Sequence, residues 1–322
     1  MVLILFHKLH QWAKTNQATN IFYYALFNQG IIFLSPIMKA TIKDYGQLMK
    51  FTLSFTVVFT CVICFQLAPN VVGFDWFNIL LLTFAGLCIT GSANAINQAV
   101  EKDTDAQMKR TSNRPVAAGR LTQNQAYAFA IITGVLGVGL MLYFNIASAL
   151  LSAFSLFLYA FIYTPLKKIN SIAVLVGAFP GAIPCLIGWV AATNEFSAGG
   201  WVLLLIQFLW QFPHFWAIAW VSHADYSRVG FKLLPAKEGP TRFTALQSIM
   251  YAVLMVPIGF LPHYLGLTGN WSMWVVLIAN IFIVVQCVRL YQDMGVPAAR
   301  RVMFSSYIYL PVVYLTLLAD KL

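Results

Sequence analysis

The chain has 322 residues, of which only 20 are Lys or Arg and 10 are Asp or Glu, while 60% are apolar. A soluble domain carries about 25% charged residues, so a charged share of 9% cannot coat a soluble globule of this size. The composition excludes a soluble enzyme, a coiled coil, a disordered chain and a DNA-binding domain, and it points to a polytopic membrane protein in a lipid bilayer.

Residues 1–42 read as an N-terminal extension. Within it, residues 21–38 are apolar but include Asn28 and Gln29, and a crossing there would carry Lys8 and Lys14 to the far side. An interfacial or re-entrant segment is therefore the expectation. No small-residue cleavage site follows it cleanly, as a signal peptide would require. Residues 43–322 read as one membrane domain. A spanning helix needs about 20 mostly apolar residues, and nine stretches qualify: 51–68, 76–100, 124–144, 146–163, 172–192, 201–221, 243–265, 271–288 and 302–318. The predicted fold is an all-α bundle of nine transmembrane helices.

The basic residues sort with these spans. Nineteen of the 20 precede span one or follow spans two, four, six and eight, and only Lys321 falls on the other face. The positive-inside rule makes the basic face cytoplasmic, with the N-terminus inside and the C-terminus outside. The net charge of +10 is then mostly topology and implies no nucleic acid. The two longest loops, 101–123 and 222–242, lie on that face after spans two and six, which hints at a repeated four-span unit. All five cysteines fall in apolar runs and read as small hydrophobes; the Cys61–Cys64 pair has no His or second pair beside it.

Span two ends with Asn97, Glu101 and Asp105 four residues apart. Each step of four turns a helix by about 40°, so the three form one stripe if the helix continues, while Asp103 points elsewhere. Amide and carboxylate oxygens suit Mg²⁺, a hard cation that shares its shell with substrate phosphates. Lys109, Arg110 and Arg114 follow, as a diphosphate site would need. The competing reading is a solvated loop, but three of only 10 acids stand within five residues at a helix end. Polar residues at membrane depth are expensive and usually functional.

Span six carries Gln211, Pro213 and His214, then His223 and Asp225 at its basic end. Asp225 can complete a metal shell or hold a second Mg²⁺; His214 can equally be a structural residue bonded to a neighbouring helix. Tyr163, Lys167 and Lys168 end span four, where a lysine can reach a phosphate or merely mark topology. The run Gly177-Ala-Phe-Pro180-Gly181-Ala-Ile-Pro184 allows close approach, either to a ligand or to another helix.

At these residues the chain resembles the UbiA superfamily of intramembrane prenyltransferases, over about residues 43–318. The resemblance rests on N-x-x-x-E-x-D-x-D-x-x-M-x-R-T-x-x-R-P from Asn97 to Pro115, Y-T-P-L-K-K from Tyr163, G-A-x-P-G-A-x-P from Gly177, and W-Q-x-P-H-F from Trp210 with Asp225 and Tyr226 beyond. The M-x-R-T-x-x-R-P ending and W-Q-x-P-H-F are similar to the branch that farnesylates heme. The resemblance implies a bacterial inner-membrane enzyme with farnesyl diphosphate and heme B as substrates, Mg²⁺ as cofactor, and a heme A synthase as downstream partner by pathway logic. It implies that Asn97, Glu101 and Asp105 serve catalysis and hold the metal, with Asp225 beside them. Lys109, Arg110, Arg114, Lys167 and Lys168 would bind diphosphate, and His214, Gln211 and Tyr163 would line the heme side. Two departures stand out: Glu101 replaces the family's commoner Asp, and only Asp225 remains of the second Asp-rich motif. Within the superfamily, the other acceptor to weigh is an aromatic quinone precursor; outside it, the other class is a transporter, which the one-sided placement of acids disfavours.

Overall fold

The computed structural model describes residues 40–236 and 238–322; the segment 21–38 lies outside them. Twelve labelled helices make up the fold: α1 (Ile42–Leu48), α2 (Phe51–Gln66), α3 (Trp76–Val100), α4 (Lys102–Gln107), α5 (Gln123–Met141), α6 (Ile146–Phe157), α7 (Ala173–Thr193), α8 (Ala198–Val221), α9 (His223–Arg228), α10 (Arg242–Gly259), α11 (Asn270–Asp293) and α12 (Val296–Ala319). Among the described residues, eight helical segments are long and apolar enough to cross a membrane, α6 counting with its continuation to Leu166, and the pair α1–α2, bent by 55°, brings the number to nine. The all-α bundle expected from the apolar stretches is what forms.

The helix starts are written locally. Thr41 with Asp44 and Thr122 with Gln125 form capping boxes, and the side chains of Asp75 and Asn145 accept from the third helical N–H. Helices α7 and α8 form the centre, with 78% and 72% of their apolar stretches buried, against 28% for α5. Around them α2, α3, α5 and α6 pack on one side and α10, α11 and α12 on the other; α12 also meets α2. Lipid is as apolar as leucine, so close packing and internal hydrogen bonds must hold such a bundle. Gly188 of α7 shows the first: a Cβ there would lie 1.9 Å from the Cys61 carbonyl oxygen of α2. Tyr309 shows the second, donating to Asn280 Oδ1 at 2.6 Å, while Asn280 donates to the Met255 carbonyl at 2.9 Å. All five cysteines are free and buried.

The two ends of the bundle differ. One carries the loops with nearly all the charged residues. At the other, Lys321 donates to the carbonyls of Gln66, Ala68 and Val71 at 2.6–2.7 Å and caps the C-terminal end of α2. A cation there meets the partial negative charge of the helix end, and desolvation holds its pKa below the usual lysine value.

Candidate active site

The site forms at the charged end of α3. The helix breaks at Glu101, yet the Glu101 N–H reaches the Asn97 carbonyl at 2.9 Å and the Asp105 N–H reaches the Glu101 carbonyl at 2.7 Å. Helical spacing therefore survives the break. Asn97, Glu101 and Asp105 are buried, and Asp103 is exposed.

Each member of this stripe meets a cation from a different element. Lys50 Nζ donates to Asn97 Oδ1 at 3.2 Å, Lys167 Nζ to Glu101 Oε1 at 2.6 Å, and Arg114 Nη1 to both Asp105 oxygens at 2.8 and 2.7 Å. Three basic side chains thus surround two carboxylates, with Arg114 and Lys167 in direct ion pairs and Lys50 on the Asn97 amide. The Lys167–Glu101 pair is enclosed, with side chains only 8% and 6% exposed. Buried pairs add little to stability because desolvation offsets their attraction, so stability alone does not account for this one.

Local backbone geometry delivers the three cations. Lys50 sits at the α1–α2 break with φ 50° and ψ 57°, a left-handed conformation costly for a residue with a side chain. Lys167 follows a π-helical turn over Leu158–Tyr163, in which the Thr164 N–H reaches back to Tyr159. Such turns shift helical register and recur at functional sites. Here the turn brings Thr164 Oγ1 within 3.4 Å of Asn97 Nδ2 and places the Lys167 ammonium 4.7 Å from the centre of the Tyr163 ring. Arg114 lies in the turns after α4, where Thr111 Oγ1 donates to the Asp105 carbonyl at 2.9 Å.

The remaining sequence candidates divide. Lys109 and Lys168 are exposed, and their side chains hydrogen-bond to nothing among the described residues. Arg110 turns to α9, donating to the Tyr226 hydroxyl at 2.8 Å, and Arg228 of α9 donates to the Gln107 carbonyl at 3.3 Å. Asp225 pairs with Arg228 at 3.9 Å. Among the described residues no group of three or more His, Cys, Asp or Glu gathers to hold a metal. Of the ligands expected from the sequence, Asn97, Glu101 and Asp105 pair with Lys50, Lys167 and Arg114, and Asp225 pairs with Arg228. Gln211 is spent on packing. Its Nε2 donates to the Ala178 carbonyl at 3.0 Å, and its Oε1 occupies the space a Cβ at Gly181 would need. Gly177 likewise admits the Tyr163 ring, so these two glycines serve helix contact. His214 is buried on α8, stacked on Trp210 at 4.6 Å, with Nδ1 2.7 Å from Ser306 Oγ of α12.

Sequence reasoning missed Lys50 and Thr164. Lys50 reads as one more topological lysine ahead of a span, and nothing in its neighbours reveals the left-handed turn. Thr164 had a signal: Pro165 cannot donate within a helix, which marks a break where a hydroxyl is often useful.

A cluster of basic side chains and carboxylates at the end of an apolar bundle defines a class of protein, an intramembrane enzyme that handles an anionic head on an apolar tail. Residues 57–308 match the UbiA prenyltransferase family, and the chain belongs to that family. It is 42% identical over 286 residues to the protoheme IX farnesyltransferase of Cytophaga hutchinsonii, covering 88% of this chain and 100% of that protein. To the protoheme IX farnesyltransferase of Flavobacterium johnsoniae it is 40% identical over 290 residues, covering 88% and 96%. The backbone is similar to that in a structural study of digeranylgeranylglyceryl phosphate synthase, with TM-score 0.72 at 20% identity, covering 87% of this chain and 98% of that one. A UbiA homolog from Archaeoglobus fulgidus bound to GPP and Mg²⁺ gives TM-score 0.65 at 13% identity, covering 85% and 99%. At those identities the likeness concerns the fold.

Proposed function

We propose that this chain transfers the farnesyl group of farnesyl diphosphate to the 2-vinyl group of protoheme IX (heme B), with addition of water, to give heme O. The observation that carries the reading is the buried cluster in which Lys50, Lys167 and Arg114 outnumber Glu101 and Asp105. The acceptor follows from the relatives, which the chain matches over nearly their whole length.

The diphosphate head takes N–H donors from Lys50, Lys167 and Arg114, which releases the oxygens of the stripe. Those oxygens fit Mg²⁺: they are hard donors, and Glu101 Oε2 has no protein partner among the described residues. Asn97, Glu101 and Asp105 would hold the ion, which supplies neutralising charge to the diphosphate when bound. As the C1–O bond breaks, its electron pair leaves with the diphosphate, and the three cations stabilise that charge. The apolar bundle keeps water from capturing the allylic cation early. The vinyl group then attacks C1, the carbon beside the porphyrin takes hydroxyl from water, and one proton is released. His214 stands on the heme side. The enzyme sits in a bacterial inner membrane with its N-terminus cytoplasmic, as the positions of 19 of 20 basic residues support. Its product passes to a heme A synthase.

The test is purified protein with heme B, farnesyl diphosphate and Mg²⁺, read by mass spectrometry. Heme gaining a hydroxyl and a farnesyl group supports the reading. A hydroxybenzoate gaining the prenyl group, with heme unchanged, would replace it with a quinone-precursor prenyltransferase. Metal binding has its own readout: Mn²⁺ in place of Mg²⁺ should give a protein-bound electron paramagnetic resonance signal that Glu101→Gln weakens.

A further inference from the structure

His214 lies seven residues before the end of α8 at Val221, about 10 Å inside the bundle at 1.5 Å per residue. Its ring lies nearly parallel to Trp210, at 16°, and Tyr307 of α12 meets it edge-on at 5.1 Å. Aromatic neighbours on two helices thus set the ring plane.

The hydrogens follow from Ser306. Its Oγ stands 2.7 Å from His214 Nδ1 and 2.6 Å from the Met303 carbonyl oxygen. Each contact is short enough to require one hydrogen between the heavy atoms, and a serine hydroxyl has only one to give. If it pointed to His214, two bare oxygens would face each other at the Met303 contact. The hydroxyl therefore donates to Met303, and the other hydrogen comes from His214 Nδ1–H. A neutral imidazole of that tautomer has no hydrogen on Nε2. Nε2 also has no protein partner among the described residues.

We infer that Ser306 is a positioning residue that fixes His214 as its Nδ1–H tautomer, so that His214 Nε2 ligates the iron of the heme acceptor. The inference rests on the heme reading above. The tautomer removes one task open to this histidine and leaves Nε2 as an acceptor. Orienting a propionate needs an N–H, and the only one is committed to Ser306. Nε2 can only accept, and the Lewis acid that heme brings is its iron, for which neutral imidazole is a fitting ligand. A hydrogen bond from the far ring nitrogen fixes ligand orientation and raises basicity. Ligation at the centre of the macrocycle leaves its vinyl edge open to the prenyl carbon.

The experiment is a titration of heme B into the purified full chain without farnesyl diphosphate. It is read by the Soret band and, for ferrous heme, by the iron–histidine stretch in resonance Raman. The wild type should show a histidine-ligated spectrum. His214→Gly should lose it, and added imidazole should restore it. Ser306→Ala should weaken heme binding about tenfold and shift the iron–histidine stretch, while Ser306→Thr, which keeps the hydroxyl, should return both toward wild type. A ligation spectrum unchanged in His214→Gly overturns the iron assignment. A stretch and affinity unchanged in Ser306→Ala overturn the role of Ser306. A wild type that makes heme O while His214→Gly keeps its spectrum sinks this inference alone. A wild type that neither binds heme nor makes product takes down the functional reading with it.

Discussion

Two polar stripes run down the charged end of α3, and they do opposite things. Asn94 and Gln98 face the α1–α2 break. Asn94 Nδ2 donates to the Met49 carbonyl at 3.2 Å, and Gln98 Nε2 to the Gln47 and Leu48 carbonyls at 2.9 and 2.8 Å. Asn97, Glu101 and Asp105, one turn away, face Lys50, Lys167 and Arg114. The first stripe replaces hydrogen bonds that a broken helix cannot make for itself, which a membrane interior demands. The second gathers charges whose desolvation is costly and whose mutual attraction returns little. The difference teaches that a polar residue at membrane depth is read by its partner: backbone carbonyls mean architecture, and opposed charges mean chemistry.

The sharpest way to break this comparison is one substitution in each stripe. Asp105→Asn and Glu101→Gln should lower heme O formation by about 100-fold or more, the scale of lost electrostatic stabilisation. Gln98→Leu should instead lower the melting temperature, by the equivalent of about 1–3 kcal/mol for the Leu48 carbonyl left unpaired, with turnover per folded molecule within tenfold of wild type. A Gln98 variant of normal stability and no turnover would merge the two stripes into one.

Next in size is Lys50→Gly. Lys50 holds a left-handed backbone at φ 50°, which costs about 1–3 kcal/mol for a non-glycine residue. Glycine removes that strain and the ammonium together. The melting temperature should hold or rise while turnover falls by about tenfold. A lysine kept for architecture would give the reverse, a loss of stability with turnover preserved.

These residues also mark how far the sequence is legible. Eight of the nine apolar stretches form helices able to cross by length and apolarity among the described residues, and the first does so only as the bent pair α1–α2, because hydropathy acts over whole segments. The spacing of Asn97, Glu101 and Asp105 is visible because helical periodicity places them on one line. Partners are not visible, since they arrive from elements far apart in the chain: Lys50 is 47 residues from Asn97, and Lys167 is 66 from Glu101. Gln211 shows the same limit: its Nε2 donates to a carbonyl 33 residues away, which spacing alone does not reveal. Asn94 and Gln98 look as functional as Asn97 until the helix break they serve is seen.

The smallest effect concerns the outer support of the architectural stripe. Gln98 holds α1 from one side, and Arg120 holds it from the other, donating to Asp44 Oδ1 at 2.7 Å and to Gln47 Oε1 at 2.8 Å. Asp44 lies in the first turn of α1, at the charged end of the bundle and ahead of the apolar helix α2. The Thr41 hydroxyl and then Arg120 hydrogen-bond its carboxylate and lower its pKa to about 2, against about 3.9 in an unfolded chain. A carboxyl whose folded pKa is depressed adds stability above the unfolded value and loses it as pH falls through the folded one. Asp44 should therefore contribute fully above about pH 4 and progressively less toward pH 2. Asp44→Asn should lower the melting temperature slightly at pH 7 and flatten its decline below pH 4. Turnover at neutral pH should change little, because the Asp44 carboxylate bonds Thr41 and Arg120 and none of Lys50, Lys167 and Arg114. A marked loss of turnover at unchanged melting temperature would place α1 with the chemical stripe instead.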